Sequence, residues 1–594
     1  MRALNGCAVF AANTLRGDMN TGGEKLVSEL DQKLQPFVVP LLTIVGIAYV
    51  AAIVDHMHFD ALYRTVFIEE LHTGEAGRSR YLFGEWTGEG GRWQSIISTP
   101  LASITAWAGF NILGYGLVEL RLAFLPFTII SLLLFFYAVF KEAPRAPLLA
   151  SLTCLTFLFS PMLTTLRPTS TNELIYPAIA CLLLVLLHLI PASTERRQLG
   201  SIFACGLVAS SAVLVKLDGF AIPVALAILV MLETYSGRFN KAQFLAFAAG
   251  CIVGSLILGV LIFTIMGLDR FIDGLVMTDE LMARFNPYGR STLERLYGAL
   301  VVFPKNLDVY VAGQSFVLVF ALALGMRLYS VLSLPARYCL VLLAFTVSWI
   351  GFAPLIYWKK VTIAVVPALY LSFATANYAA AHLRSLRPTR LFGSVVFVAL
   401  ALGAASYSAQ FKGMWHVVPG WDSMRPIHLA ASAGTILLLL FALWRSVRPV
   451  HLVTVSFVGM CLVTTALGIF QLVGHPRSRE SFAIGEAVGP LLNGSLVVGD
   501  QNGFRFTGYF TNARYRFFQE NDPEFPEGLY SLIRATEPEF VLVTDTYAPL
   551  TARIASDFPK YSRIATYEYM HPLPSFGDKD VRHKLVLFRR APTQ

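Results

Sequence analysis

The sequence predicts an α-helical polytopic membrane protein with about thirteen transmembrane helices, amphipathic helices in the first outer loop and a small C-terminal α/β soluble domain. Three observations predict it. Hydrophobic residues make up 55% of the 594 positions and charged residues only 14%, too apolar a balance for a water-soluble chain of this length. Apolar stretches long enough to span a bilayer recur along the chain, and basic residues gather in every second turn between them. The last part of the chain instead alternates short apolar runs with polar turns.

A span needs roughly 20 apolar residues. On that rule helices fall near 37 to 54, 117 to 140, 146 to 163, 174 to 191, 200 to 215, 219 to 233, 242 to 267, 314 to 330, 338 to 355, 361 to 381, 391 to 410, 427 to 444 and 452 to 473. With the N-terminal segment 1 to 36 inside, the inside turns carry Lys141 and Arg145, Arg196 and Arg197, Arg238 and Lys241, Arg327 and Arg337, Arg384, Arg387 and Arg390, then Arg445 and Arg448. That is the positive-inside pattern, and an odd number of spans then puts the tail outside.

The topology places the long loops 55 to 116 and 268 to 313 and the tail from 475 on one face, with the membrane domain running from 37 to 474. In the first loop, Asp60 to Leu71 and Pro100 to Leu113 read as helices lying along the interface. In the tail, domain 475 to 594, the runs Ser495 to Asp500, Phe540 to Asp545 and Lys584 to Phe588 read as buried strands, with a helix over Ser481 to Leu492. The net charge of +9 does not indicate nucleic acid: the excess sits in the inside turns, and the tail has equal numbers of acidic and basic side chains. Six of the seven cysteines lie in apolar segments, so neither a disulfide framework nor a cysteine-based zinc site is implied.

The residues that could carry chemistry cluster where the first span meets its outer loop, in Asp55-His56-Met57-His58-Phe59-Asp60. Asp60 could cap a following helix or pair with Arg64 one turn on, or it could act on a substrate at the bilayer surface. Glu173 could favour the start of its helix through the dipole, or orient a substrate. Lys359 and Lys360 stand at an outer helix end against the inside-positive trend; they could snorkel or bind a lipid phosphate. Arg167 and Lys216 are further cations near outer turns. His56, His58 and Asp60 lack an identifiable further ligand, so no metal site is assigned, and the sequon Asn493-Gly494-Ser495 is too short to carry weight.

A second set of motifs gives these positions an order. Asp60-Ala61-Leu62-Tyr63, Gly74, Thr99-Pro100-Leu101, Ile112-Leu113-Gly114 and Glu119-Leu120-Arg121-Leu122-Ala123 open the series. Leu166-Arg167-Pro168-Thr169-Ser170-Thr171-Asn172-Glu173, Leu214-Val215-Lys216 with Gly219 and Pro223, and Val365-Val366-Pro367-Ala368-Leu369 continue it. In this order the chain resembles, over nearly its whole length, the C-type (GT-C) membrane glycosyltransferases that use polyprenyl-phosphate sugars, such as the protein mannosyltransferases and the lipid A aminoarabinose transferase.

The resemblance implies a sugar moved from an undecaprenyl or decaprenyl phosphate donor to a cell-envelope acceptor, with inversion, on the outer face of a bacterial inner membrane. The acceptor would be lipid A or lipopolysaccharide, a polysaccharide or a protein. In the family the first outer loop bears an acidic pair, one member of which is the catalytic base. Phe59 occupies the first place of that pair here, so the resemblance points to Asp60 first and Asp55 second, with Glu173 helping to orient the acceptor. The family's Lys-Pro-Pro is Ser98-Thr99-Pro100, which leaves Lys359, Lys360, Arg167, Lys216 and Arg64 as candidate phosphate cations. No cofactor is specified and a divalent metal stays open. A lipid-linked oligosaccharide ligase or polymerase, and a transporter or flippase, are the alternative readings.

Overall fold

The computed structural model describes residues 21–60, 64–86, 99–191, 194–268, 272, most of 325–382, most of 457–518, 524–544, 550–570 and 582–592. The membrane part begins with α1 (Thr21–His56), α2 (Arg64–Phe83), α3 (Pro100–Leu113) and α4 (Leu117–Glu142). It continues with α5 (Pro147–Leu158), α6 (Pro161–Leu166), α7 (Ile175–Leu189), α8 (Glu195–Val215), α9 (Ala221–Tyr235), α10 (Lys241–Met266), α11 (Leu334–Phe352) and α12 (Tyr357–His382). Among the described residues, five helical stretches are long and apolar enough to cross a membrane: Pro36–His56, Leu117–Glu142, Asn172–Leu189, Glu195–Val215 and Lys241–Ile265.

The spans expected over 146 to 163 and 219 to 233 are helical but short. Pro161 starts a new helix after Ser160, so α5 keeps 12 residues, about 18 Å at 1.5 Å per residue, against the roughly 30 Å of a bilayer core. The stretches expected at 391 to 410 and 427 to 444, most of 314 to 330 and nearly all of the loop 268 to 313 lie outside the described residues.

Polar ties gather one set of helix ends. Glu142 at the end of α4 accepts hydrogen bonds from Ser333 Oγ (2.8 Å) and Tyr370 Oη (2.7 Å). Glu233 near the end of α9 is 1% exposed and meets Arg337 at 2.6 Å and Tyr329 at 3.0 Å. A buried carboxylate is tolerable only with such partners.

The loop helix α3 has the expected bounds, Pro100–Leu113, with Ile112 and Leu113 exposed, whereas α2 outruns the stretch Asp60 to Leu71 expected along the interface. α2 runs on to Phe83 and is buried inside protein from Thr73 to Ser79. Gly77 explains the close approach: a Cβ there would meet Ser103 O, Ala106 Cβ and Trp107 N of α3. With glycine there the two helices touch backbone to backbone, and this part of α2 packs on protein.

The tail comprises α13 (Glu480–Leu492), β1 (Leu496–Asp500), α14 (Gln501–Thr507), β2 (Arg514–Phe518), α15 (Glu527–Thr536), β3 (Phe540–Thr544), α16 (Leu550–Asp557), β4 (Tyr561–Met570) and β5 (Arg582–Arg590). Its five-stranded sheet has the order β2-β1-β3-β5-β4. β1 pairs parallel with β2 and β3, while β5 runs antiparallel to both β3 and β4. Alternation along the strands feeds two cores: Val497, Leu542 and Leu587 join the helical core, and Val498, Val541 and Val586 face α15 and α16.

Candidate functional site

At the end of the helix assembly where the tail domain docks, Arg121 of α4 is the organising residue. It is 1% exposed. Its guanidinium donates to both oxygens of Glu70 in α2, at 2.8 Å each, and to the carbonyls of Met57 (2.7 Å) and Phe59 (2.6 Å) just after α1. One planar fork therefore closes α1, α2 and α4 into a unit, the bidentate geometry that arginine alone supplies. Glu70 also accepts from the backbone N–H of Ser170 at 3.0 Å, which brings in the segment before α7.

That segment carries Thr171, Asn172 and Glu173, all fully buried: Thr171 precedes, and Asn172 and Glu173 begin, a one-turn 3-10 helix that opens α7. Neither side-chain polar atom of Asn172 has a hydrogen-bond partner among the described residues. A buried amide without partners costs free energy, so such a group marks a place where another molecule's polar atoms would be welcome.

Asp60 sits just beyond the carbonyls that Arg121 holds, 6% exposed. It does not cap α2, which begins at Arg64; residues 61–63 and the Arg64 side chain lie outside the described residues. Instead its carboxylate accepts from Ser478 Oγ at 2.7 Å and Ser481 N at 3.2 Å, while its own N–H donates to Ser478 O at 2.9 Å. Asp60 thus serves as a cap for α13, more than four hundred residues on, supplying an acceptor to one of the helix's orphan N–H groups. Burial pushes its carboxyl above the ordinary range, opposed by the hydrogen bonds of Ser478 and Ser481 and by the Arg121 charge.

The other candidates are placed as follows. Asp55 is half exposed and pairs with Arg477 at 3.2 Å, a second tie to the tail. Arg167 is 1% exposed and donates to the carbonyls of Leu158 (2.5 Å) and Phe157 (3.2 Å) and to Tyr49 Oη (2.9 Å). It caps the C-terminal end of α5, so its hydrogen bonds go to protein. Lys216 is the half-buried C-cap residue of α8, close to Tyr176 and Gly219. Lys359 and Lys360 lie in the first turn of α12, and their side chains are outside the described residues. His56 is buried and His58 exposed, and no cluster of three or more metal-ligating side chains occurs among the described residues.

Glu70, Arg121 and Asn172 are not among the residues the sequence singles out for chemistry, although Arg121 and Asn172 lie in quoted motifs. The available signal was a charged residue inside the first turns of an apolar span, which demands a buried partner.

The tail seals this corner. Arg78 of α2, fully buried, donates to the carbonyls of Gly508 (2.7 Å), Thr511 (3.0 Å) and Ala513 (2.7 Å). Tyr509 packs on Gly74 and donates to Glu70 O at 3.4 Å, and burial keeps its phenol well above its ordinary value.

No protein-family model matches the chain, and no curated protein matches it. Among solved structures, the chain is similar to ArnT from Cupriavidus metallidurans bound to undecaprenyl phosphate, at 15% identity with a TM-score of 0.52. The match covers 92% of this chain and 97% of that one. The chain has the ArnT fold. ArnT in the apo state is matched over the same shares, at 16% identity and a TM-score of 0.47. A fold match to ArnT that runs through both the helices and the tail agrees with the C-type glycosyltransferase architecture implied by the motif order.

Proposed function

We propose that this protein is a polyprenyl-phosphate-dependent glycosyltransferase acting on the outer face of the inner membrane, moving a sugar from a lipid-phosphate donor to a cell-envelope acceptor. One observation carries the reading: a fold shared end to end with a protein that binds undecaprenyl phosphate here holds buried Asp60, Glu70 and Glu173 at the end of the helices covered by the tail. Glycosyl transfer needs a carboxylate near a lipid phosphate, shielded from water.

In the proposed reaction Asp60 takes the proton of an acceptor hydroxyl as its oxygen attacks the anomeric carbon. The bond from that carbon to the phosphate oxygen breaks, the polyprenyl phosphate leaves with the bonding pair, and configuration inverts. Two hydrogen bonds leave further lone pairs on the Asp60 carboxylate, and a carboxyl raised by burial is a stronger base than a solvated one. Asn172 and Glu173 orient the reacting sugars, and Lys216, Lys359 and Lys360 are the cations assigned to the departing phosphate. Arg167 is omitted because its donors hold α5.

Asp60→Asn tests the base. Asparagine caps a helix as well as aspartate does, so membrane insertion and the tail contact persist while proton abstraction is lost. Transfer from a radiolabelled lipid-linked sugar should fall by about 10²–10⁴-fold. Wild-type rates in that variant would reduce Asp60 to a capping residue.

A further inference from the structure

A cleft of about 570 Å³ opens at the seam between the first loop and the tail domain, beside the Asp60 cap. Its volume is within the range of small-molecule sites, roughly 300–1,000 Å³. We infer that it is a subsite for an uncharged saccharide, the glycan portion of the acceptor; that last assignment rests on the proposed glycosyl transfer, whereas the binding chemistry does not.

Two amides define one wall. Asn493 Oδ1 accepts from Thr511 Oγ at 2.8 Å and from Asn512 N at 3.1 Å, and Asn512 Oδ1 accepts from Gly494 N at 2.7 Å. Backbone N–H groups need an acceptor, so these bonds fix which end of each amide is oxygen, and each of these two lining residues keeps an Nδ2 donor that the Oδ1 bonds do not use. The sequon Asn493-Gly494-Ser495 therefore reads as part of a binding wall, since its asparagine is tied into the fold.

Carboxylates supply the acceptors. Glu119, folded back over Gly116, and Glu486 both line the cleft. Arg479 lies there too, but its charge is matched by Glu486 at 3.0 Å. With Glu119 added, the lining carries more negative than positive charge, which disfavours a phosphate and suits hydroxyl donors.

The apolar element is rigid. Phe510 rests on Gly485 and Gly489 of α13, where any Cβ would collide with it, and it meets Phe482 edge to face at 5.7 Å between centroids. Tyr115, stacked on Tyr81, forms another part of the lining. Fixed aromatic surfaces beside oriented amides and carboxylates match the two sides of a sugar ring, apolar C–H faces and peripheral hydroxyls. A lipid chain has no use for the amides and carboxylates, and the net negative lining disfavours the phosphates of a nucleotide.

The test is saturation-transfer NMR on the full chain in nanodiscs with maltotriose, cellotriose, mannotriose and chitotriose as probes. At least one should show transfer in the wild type and in Asp60→Asn, and lose it in both Asn512→Leu and Glu119→Ala. Silence from all four probes, or signals unchanged in those two cleft variants, would overturn the subsite. In transfer assays Asn512→Leu should raise the acceptor KM about tenfold with donor KM unchanged. An unaltered acceptor KM beside normal transfer sinks the subsite and spares the transferase; specific sugar binding in a protein without transfer does the reverse.

Discussion

The Asp60 carboxyl carries a packing role and, in the proposed reaction, the proton of the acceptor. Both roles depend on the same two hydrogen bonds, from Ser478 Oγ and Ser481 N. Burial raises the carboxyl above its ordinary value and these bonds pull it back. A base works only when ionised, so activity should rise with pH through a limb displaced upward from that of a solvated aspartate. For stability the sign is the opposite: the ionised form is the disfavoured one when buried, so the cost is present above the raised value and is relieved as pH falls through it. Ser478→Ala removes a bond that favours the charged form, and the acidic limb of kcat/KM should move to higher pH. A limb that stays in place in that variant would mean that another group titrates. The sequence marked Asp60 because of where it lies, at the end of an apolar span, but nothing local to it could reveal Ser478. A cap supplied across the fold has no signature in the neighbouring residues.

Among the elements, those that bury apolar surface on all sides were legible and those that alternate were not. The central strands β1, β3 and β5 read as apolar runs, Ser495 to Asp500, Phe540 to Asp545 and Lys584 to Phe588. β2 and β4 were missed. They are the two edges of the sheet, and Arg514-Tyr515-Arg516-Phe517 places charge at every second position, as an edge strand requires. The amphipathic stretch Asp60 to Leu71 reads as an interfacial helix, but α2 runs on to Phe83, and Arg78 in that extension spends its donors on tail carbonyls. Arg78→Met should therefore strand those carbonyls at about 1–3 kcal/mol each, partly recovered by local relaxation. Hydrogen exchange should quicken over residues 505 to 516 while β3 and β5 stay protected. Unchanged exchange in that segment would show that the remaining contacts hold it without Arg78.

At the scale of the whole molecule, the same helices tie acidic residues into two separate ends. Glu142 and Glu233 meet Ser333 and Arg337 at one end, and Glu70 and Asp60 meet Arg121, Ser478 and the tail at the other. Because Arg121 and Glu142 stand 21 residues apart on α4, about 32 Å of helix at 1.5 Å per residue, the two ends are a bilayer core apart. The turn between α9 and α10, with Arg238 and Lys241, belongs to the Glu233 end. On the positive-inside rule we propose that this end faces the cytoplasm and the tail the outside. Six cysteines lie buried or half-buried in the helices, so a Cys7→Ser background offers few native thiols to a polar reagent. In that background Glu486→Cys on the exposed face of α13 should react with a membrane-impermeant maleimide added to spheroplasts, and Lys241→Cys should react only after lysis. The reverse pattern would invert the topology and remove the donor's phosphate from the face on which the proposed transfer occurs. Equal labelling of both positions before lysis would place both ends on one side, against a helix long enough to cross.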